Sequence, residues 1–372
     1  MTKLAAKIFK LTNIFIVSLY LLACLIPVLP AGKFWVIAAL GLIFPLLFLV
    51  VAFFLIGWLI ARSKWWILSF VALALSWQQL SAIAGLNTEK EFTLSKTNET
   101  LRVLSWNTSS WGETSKKHSG RLEPRLLMLE VIKKQQADVL CFQEFKEKKD
   151  VHSDYSNIQE FKEMGYPYSF FVKTVTYNAR HELGVIILSK YPVTDTVKYT
   201  YGEDDFAEHL IYADIQFNRQ KIRIFTTHLQ SVQFEPREYS AISKIKHTDE
   251  SGLKDLRTIV GKLKNAYKFR ATQADFVQQK IKESPYPVII CGDFNDVPNS
   301  YTYFTIKGNL QDAFLKKGSG LGRTFQYLSP TLRIDYILAD KNFKVNQFNR
   351  LKVPYSDHYP VVADLTTITP VP

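Results

Sequence analysis

Pro287-Val288-Ile289-Ile290-Cys291-Gly292-Asp293-Phe294-Asn295-Asp296 is the stretch from which the fold is most directly read. Val288–Gly292 is a short apolar run, rich in β-branched residues, and reads as a buried strand. It gives way at once to Asp293, Asn295 and Asp296. The same grammar recurs along the chain. Leu101–Trp106 ends in Asn107, Val139–Gln143 in Glu144, and Ile222–Thr227 in His228. Ile334 precedes Asp335, and Ser356-Asp357-His358 stands just before the run Val361–Leu365. One such residue is commonly a turn former. Six strand ends bearing carboxylate, carboxamide or imidazole groups predict a shared cleft along one edge.

Outward from these ends, Gly184–Ser189 and Ile211–Gln216 add further strands, and Ile334–Leu338 another. Ile211–Gln216 and Ile222–His228 form a hairpin across Asn218-Arg219-Gln220. Helices are expected over Glu123–Gln135 and from about Leu253 to Lys282. In the first, Leu126, Leu129 and Ile132/Lys133 have the three-to-four spacing of a buried face. Many strands with few helices between them predict an α/β fold, a four-layer sandwich of two packed mixed β-sheets flanked by helices. Cys24, Cys141 and Cys291 lack zinc or redox spacing and read as buried free thiols.

An all-α membrane segment precedes this sandwich. The first 86 of the 372 residues contain no Asp or Glu and only Lys3, Lys7, Lys10, Lys33, Arg62 and Lys64 as charges. Two apolar stretches, 11–29 and 34–61, each reach the roughly 20 residues needed to cross about 30 Å of hydrocarbon. Pro45 in the second is tolerable in a membrane helix. A third, 65–86, meets Gln78 and Gln79 and reads as a span, with a helix lying in the interface as the alternative. Lys3, Lys7 and Lys10 favour a cytoplasmic N-terminus, and Arg62 with Lys64 a cytoplasmic second loop. Three spans then put the remainder on the extracytoplasmic side, and two would keep it cytoplasmic. Residues 87–100 serve as a linker and 101–368 as a catalytic domain. Beyond Leu86 the chain carries 40 Lys and Arg against 34 Asp and Glu, so half of the +12 net charge belongs to the membrane region. The remaining +6 suits anionic substrates without demanding nucleic acid.

The chemistry these residue types suit is phosphoester hydrolysis with a hard cation. Mg2+ takes oxygen ligands and keeps several waters, so one or two carboxylates and a carboxamide suffice. The ion neutralises phosphate charge and the leaving oxygen. A further carboxylate can orient or deprotonate water, and a histidine held by its own carboxylate can stabilise developing charge.

The ordered set Ser105-Trp106-Asn107, Gln143-Glu144, Gly184 with Leu188-Ser189-Lys190-Tyr191-Pro192, Thr227-His228-Leu229, Gly292-Asp293-Phe294-Asn295, Arg333-Ile334-Asp335-Tyr336-Ile337 and Ser356-Asp357-His358 resembles the endonuclease/exonuclease/phosphatase superfamily. The resemblance runs from about Leu101 to Leu365. It implies Mg2+ or Mn2+ as cofactor, with Asn107 and Glu144 at the metal and Asp357 completing a metal site. By the same resemblance Asp293 aligns or activates the water, and Asn295 holds that aspartate and the phosphate. His228 and His358 contact the phosphate, and Asp335 fixes the tautomer of His358. Arg270 matches a helical arginine that looks structural, and Gly322 with Thr324 a Gly-x-Thr shaping the cleft floor. The implied partners are a lipid bilayer and a phosphoester substrate (DNA, phospholipid or phosphosugar), with no obligate protein partner evident. The competing class is a non-catalytic membrane-tethered binding module on the same fold, against which the full set of polar residues argues.

Other residues carry blander expectations. His181 and Glu182 read as an exposed loop pair, and His118, His209 and His247 as surface residues. The stretch from His228 to Arg270 is rich in Lys and Arg, among them Arg237, Lys244, Lys246, Arg257, Lys262, Lys264 and Lys268. It reads as a solvated helical face, or as a lid or docking surface for an anionic substrate or lipid headgroups.

Overall fold

The computed structural model describes residues 3–88, 91–112, 123–148, 156–177, 181–201, 208–232 and 250–368. Its helices are α1 (Lys3–Cys24), α2 (Trp35–Ile60), α3 (Trp66–Leu75), α4 (Trp77–Ile83), α5 (Glu123–Gln135), α6 (Asn157–Glu163), α7 (Glu250–Lys282), α8 (Tyr301–Lys307) and α9 (Ala313–Lys317). Its strands are β1 (Gly85–Leu86), β2 (Thr100–Asn107), β3 (Val139–Lys148), β4 (Tyr168–Tyr177), β5 (His181–Ser189), β6 (Val193–Thr200), β7 (His209–Phe217), β8 (Gln220–His228), β9 (Val288–Asp293), β10 (Gln311–Asp312), β11 (Ser319–Gly320), β12 (Asp335–Ala339), β13 (Phe343–Arg350) and β14 (Val361–Thr367). By internal packing the chain forms two compact units. One holds Met1–Ala84, Ser231–Asp275 and Asp296–Ile306, and the other Gly85–Gln230, Phe276–Asn295 and Lys307–Pro372.

The second unit is built on two six-stranded mixed sheets, ordered β10-β12-β9-β8-β7-β6 and β13-β14-β2-β3-β5-β4. Alternation along β2 sends Leu101 and Val103 into one apolar core and Leu104 and Trp106 into another. In the first core, Val139, Cys141 and Ile187 of one sheet join Ile211, Ile224, Ile289 and Ile337 of the other. In the second, Leu104, Trp106, Leu140 and Phe142 pack on Met128, Leu129 and Ile132 of α5 and on Phe161 of α6. Leu129 and Ile132 of α5 are buried as expected and are joined by Arg125 and Met128, whereas Leu126 is exposed. Cys141 and Cys291 are buried free thiols, and Cys24 is half-buried.

Two pairings in this unit are parallel and bring strand ends into line. Asn107 stands beside Gln143 where β2 meets β3, and His228 beside Asp293 where β8 meets β9. Antiparallel β12 starts at Asp335, directly opposite Asp293. The hairpin β7–β8 closes on Asn218 and Arg219, with Asn218 at φ 54°.

In the first unit, α1 with the short turn that follows it and α2 are each long and apolar enough to cross a membrane. The third apolar stretch is not one straight helix. α3 and α4 meet at 62°, and the break falls at Ser76, whose hydroxyl donates to Leu73 O and accepts from Tyr20 Oη. Gln79 of α4 donates to Cys24 O, satisfying a carbonyl at the end of α1. Asn13 and Ser69 form a further buried polar pair between α1 and α3, the kind of contact that holds apolar helices together. In the same unit Arg270 of α7 and Thr302 of α8 donate to Asp296, and Asn299 donates to Ala23 O. Gly41 of α2 has no room for a side chain, because a Cβ there would lie 2.4 Å from Asn299 O.

Candidate active site

All eight residues expected at the site belong to the sheet-bearing unit, and most converge on one carboxylate. Asp293 leaves β9 just after Gly292, which sits at φ 145° with its Cα pressed on β8, where a Cβ would come within 2.1 Å of Thr227 O. That close approach brings the ends of β8 and β9 together. Asp293 is buried, and Asn295 N–H donates to its Oδ1 at 2.8 Å. Around its Oδ2 stand Asn107 Nδ2 at 3.1 Å, His228 Nε2 at 3.6 Å and His358 Nε2 at 3.6 Å.

Glu144 reaches the same point by an irregularity. Its register in β3 slips between Phe142 and Phe145, and Glu144 takes φ 48°, a region uncommon for non-glycine residues. A bulge of this kind re-aims a side chain that the regular pleat would place elsewhere. The Glu144 carboxylate accepts from Asn107 Nδ2 at 3.2 Å and lies 3.9 Å from His228 Nε2. Asn107 thus bridges Glu144 and Asp293, while its Oδ1 accepts from Ser109 N–H. Asn295 also adopts a left-handed φ, 52°, and its side chain donates to Leu229 O. Strained backbone at such positions is characteristic of functional sites.

His358 is fixed from several directions. Its Nδ1 is 2.9 Å from Asp335 Oδ2, its carbonyl accepts from Trp106 Nε1, and the Phe325 ring lies edge-on at 5.1 Å. Asp335 is in turn set by Thr324, whose hydroxyl accepts from both Ile334 N–H and Asp335 N–H. Ser356 ties this segment to β2 by donating to Asn107 O. Asp357 is half-buried, and Glu144 is raised chiefly by burial, opposed by His228 and reinforced by the nearby charge of Asp357.

Burial alone would push the imidazolium of His358 down, but the carboxylates of Asp335 and Asp293 outweigh it and hold the pKa well above the usual value. For His228 burial is likewise outweighed, here by Glu208, Asp293 and Glu144, and its pKa is pushed up to about 10. Asp293 is raised by burial, opposed by His358 and reinforced by Asp335.

Glu208 is a residue that sequence reasoning missed. Its carboxylate lies 3.1 Å from His228 Nδ1, so each histidine has its own carboxylate partner. Nothing local marked it, since it closes an acidic stretch with Glu203, Asp204 and Asp205. Two expectations are corrected. His209 is buried, with Nε2 3.0 Å from Lys173 O. His181 and Glu182 are half-buried within β5, paired with Lys148 and Glu147. His118, His247, Arg237, Lys244 and Lys246 fall outside the described residues.

The donor set suits a hard divalent cation. Glu144, Asp357 and Asp293 offer carboxylate oxygens without a thiolate among them, and Asn107 stands beside two of them with Nδ2 turned to the carboxylates. Asp293, Asp335 and His358 also have potential ligand atoms within 4.8 Å of one another. The 2.9 Å contact of Asp335 with His358 Nδ1 makes that trio better suited to orienting an imidazole than to surrounding an ion.

The sequence model of the endonuclease/exonuclease/phosphatase family matches residues 104–358, which contain every residue of the cleft. The chain belongs to that family. As a member of the endonuclease/exonuclease/phosphatase family it is an enzyme acting on phosphoester bonds. A second model, a domain of unknown function (DUF8431), matches residues 6–83. No curated protein matches the chain in sequence. Solved structures share the family fold. An endonuclease/exonuclease/phosphatase from Beutenbergia cavernae is 19% identical over 72% of this chain and 72% of its own, with TM-score 0.53. The human Nocturnin catalytic domain is 18% identical over 73% and 96%, with TM-score 0.51. A family member from Bacteroides thetaiotaomicron is 17% identical over 73% and 98%, with TM-score 0.50.

Proposed function

We propose that this protein is a membrane-anchored phosphoesterase that uses Mg2+ or Mn2+ to hydrolyse phosphodiester, phospholipid or phosphosugar bonds by water attack. The observation that carries the reading is the placing of Asp293 Oδ2 within 3.6 Å of two imidazole nitrogens and 3.1 Å of the amide that also binds Glu144. Asn107, Glu144 and Asp357 are the residues that would hold the ion. When bound, the ion supplies charge neutralisation at the phosphate and the leaving oxygen. Asp293 orients the attacking water and accepts its proton at Oδ2. His228 and His358, kept cationic by Glu208 and Asp335, donate from Nε2 to the phosphoryl oxygens, where charge builds. Asn295 holds Asp293 through its backbone N–H and adds its carboxamide beside the phosphate.

The full-length protein in detergent, supplied with Mg2+ or Mn2+, should turn over at least one of DNA, RNA, sphingomyelin, a glycerophospholipid or a phosphosugar, and should stop on chelation. Inertness across that panel with both metals would contradict the reading.

The domain division proposed is a membrane region over 1–86, a linker over 87–100 and a catalytic domain over 101–368. We place the catalytic domain on the extracytoplasmic face, with the bent pair α3–α4 as the third crossing. Support comes from packing within the first unit. Ala31, at the turn between α1 and α2, and Ala38 pack on Tyr267 and Ala271 of α7, so α7 lies on the face where that turn emerges. Lys3, Lys7 and Lys10 favour the opposite, cytoplasmic face for the N-terminus. An impermeant thiol reagent applied to intact cells should label a cysteine placed at Lys33 and a second placed after Thr366. Labelling of the first without the second would refute three crossings.

A further inference from the structure

Between Leu256 and Asp275 the chain has no acidic residue but five basic ones, Arg257, Lys262, Lys264, Lys268 and Arg270. Arg270 is buried against Asp296. Arg257, Lys264 and Lys268 are exposed, and their spacings of seven and four place them on one helical face, about 16 Å from first to last. Another face of α7 is covered, where Leu263, Tyr267 and Ala271 pack on Ala31, Trp35, Ala38 and Ala39. Lys268 sits at the turn itself, since a Cβ at Gly32 would lie 3.7 Å from its Cα. Close by, Lys33 is exposed, and so are the apolar side chains of Val36 and Phe269.

We propose that this face, with Lys264, Lys268 and Lys33 at its centre, docks on the headgroups of anionic phospholipids in the bilayer that α1 and α2 cross. The inference rests on the membrane reading above. A turn joining two crossing helices lies at headgroup depth, and α7 is packed on that turn, so its lysines stand where lipid phosphates are. Phe269 beside them is the apolar companion expected of a helix lying in the interface. A basic face could also serve nucleic acid, but polyanion binding does not call for packing on the turn between two apolar helices. Lysines near a membrane surface attract anionic lipid strongly enough to change binding by about fivefold each.

The full-length protein, reconstituted in mixed vesicles of phosphatidylcholine and phosphatidylglycerol and released into detergent, is examined by native mass spectrometry for retained lipid. The wild type should retain phosphatidylglycerol preferentially, less so as salt rises. Lys264→Gln with Lys268→Gln should lower that preference by about 25-fold, with thermal stability and metal-dependent turnover in phosphatidylcholine alone unchanged. Equal lipid ratios in wild type and variant would overturn the proposal. So would a fluorescent DNA duplex that binds the wild type, loses binding in the variant and leaves lipid retention unaltered. Preference for phosphatidylglycerol in a protein inert towards every phosphoester would uphold this surface while refuting the hydrolase. A chain that stays soluble without detergent would refute the membrane reading itself.

Discussion

Asp293→Asn lowers kcat by about three orders of magnitude or more, with KM little changed, on whichever substrate the panel identifies. The substitution preserves size and leaves the backbone of β9 alone, but it removes the group that can take a proton from water at the point where β2, β3, β8, β9 and β12 converge. Losing a positioned general base costs about 10²–10⁴ in rate, and Asp293 also counters the charges of His228 and His358. Without that carboxylate both imidazoles titrate lower, because an anion 3.6 Å away favours their protonated forms. A fall in kcat with KM held marks an interaction made in the transition state. A variant retaining a tenth of wild-type kcat would show that the proton goes elsewhere.

In the mechanism proposed, Glu144→Gln acts on the metal. A carboxylate ligand contributes a full negative charge, which a carboxamide cannot replace, and here the carboxylate is aimed by a bulge and a left-handed backbone rather than by a flexible loop. Even groups that only support metal ligands cost 10–100-fold in affinity when lost, so the Mg2+ concentration for half-maximal activity should rise by about 100-fold or more. Activity should return in part at high metal. The same raised requirement should not appear in Asp335→Asn, which disturbs His358 instead. Both are read from metal titrations of initial rate. An unchanged metal requirement in Glu144→Gln would remove Glu144 from the ion.

The fold was legible where strands are covered on both faces. Val288–Gly292 and Val139–Gln143 announced themselves because central strands of a sandwich must be apolar on both sides. The longer strands absent from the sequence reading, β4, β6 and β13, are all outermost in their sheets. An edge strand such as Val193–Thr200, with Thr194, Asp195 and Lys198, mixes polar and apolar residues and carries no continuous run. α5 has its expected limits, with Leu129 and Ile132 buried, but Leu126 is exposed where it looks like a core residue, and Arg125, which does not, is buried. Arg125 lies beside Asn157 and Glu160, which hydrogen-bond its guanidinium.

At the site, residues lying at strand ends were visible from sequence, because an abrupt change from apolar to acidic has few structural causes in a row. The bulge that turns Glu144 inward had no such mark. Neither did Glu208, whose role depends on β7 lying beside β8, a pairing that brings it to His228 across 20 positions of sequence. The break at Ser76 was also hidden. The Ser76 hydroxyl there accepts from Tyr20 Oη, a partner far away in the chain, and no proline or glycine lies nearby.

In the mechanism proposed, one divalent ion and one phosphate meet at the ends of β2, β3, β8 and β9. Anomalous diffraction from crystals of the full-length protein soaked in Mn2+ tests that claim most directly. It should show a peak at about 2.1 Å from the Glu144 carboxylate, on the side facing Asp293 and His358, and the peak should vanish in Glu144→Ala. A Mn2+ peak elsewhere with none against Glu144 at saturating metal would contradict it.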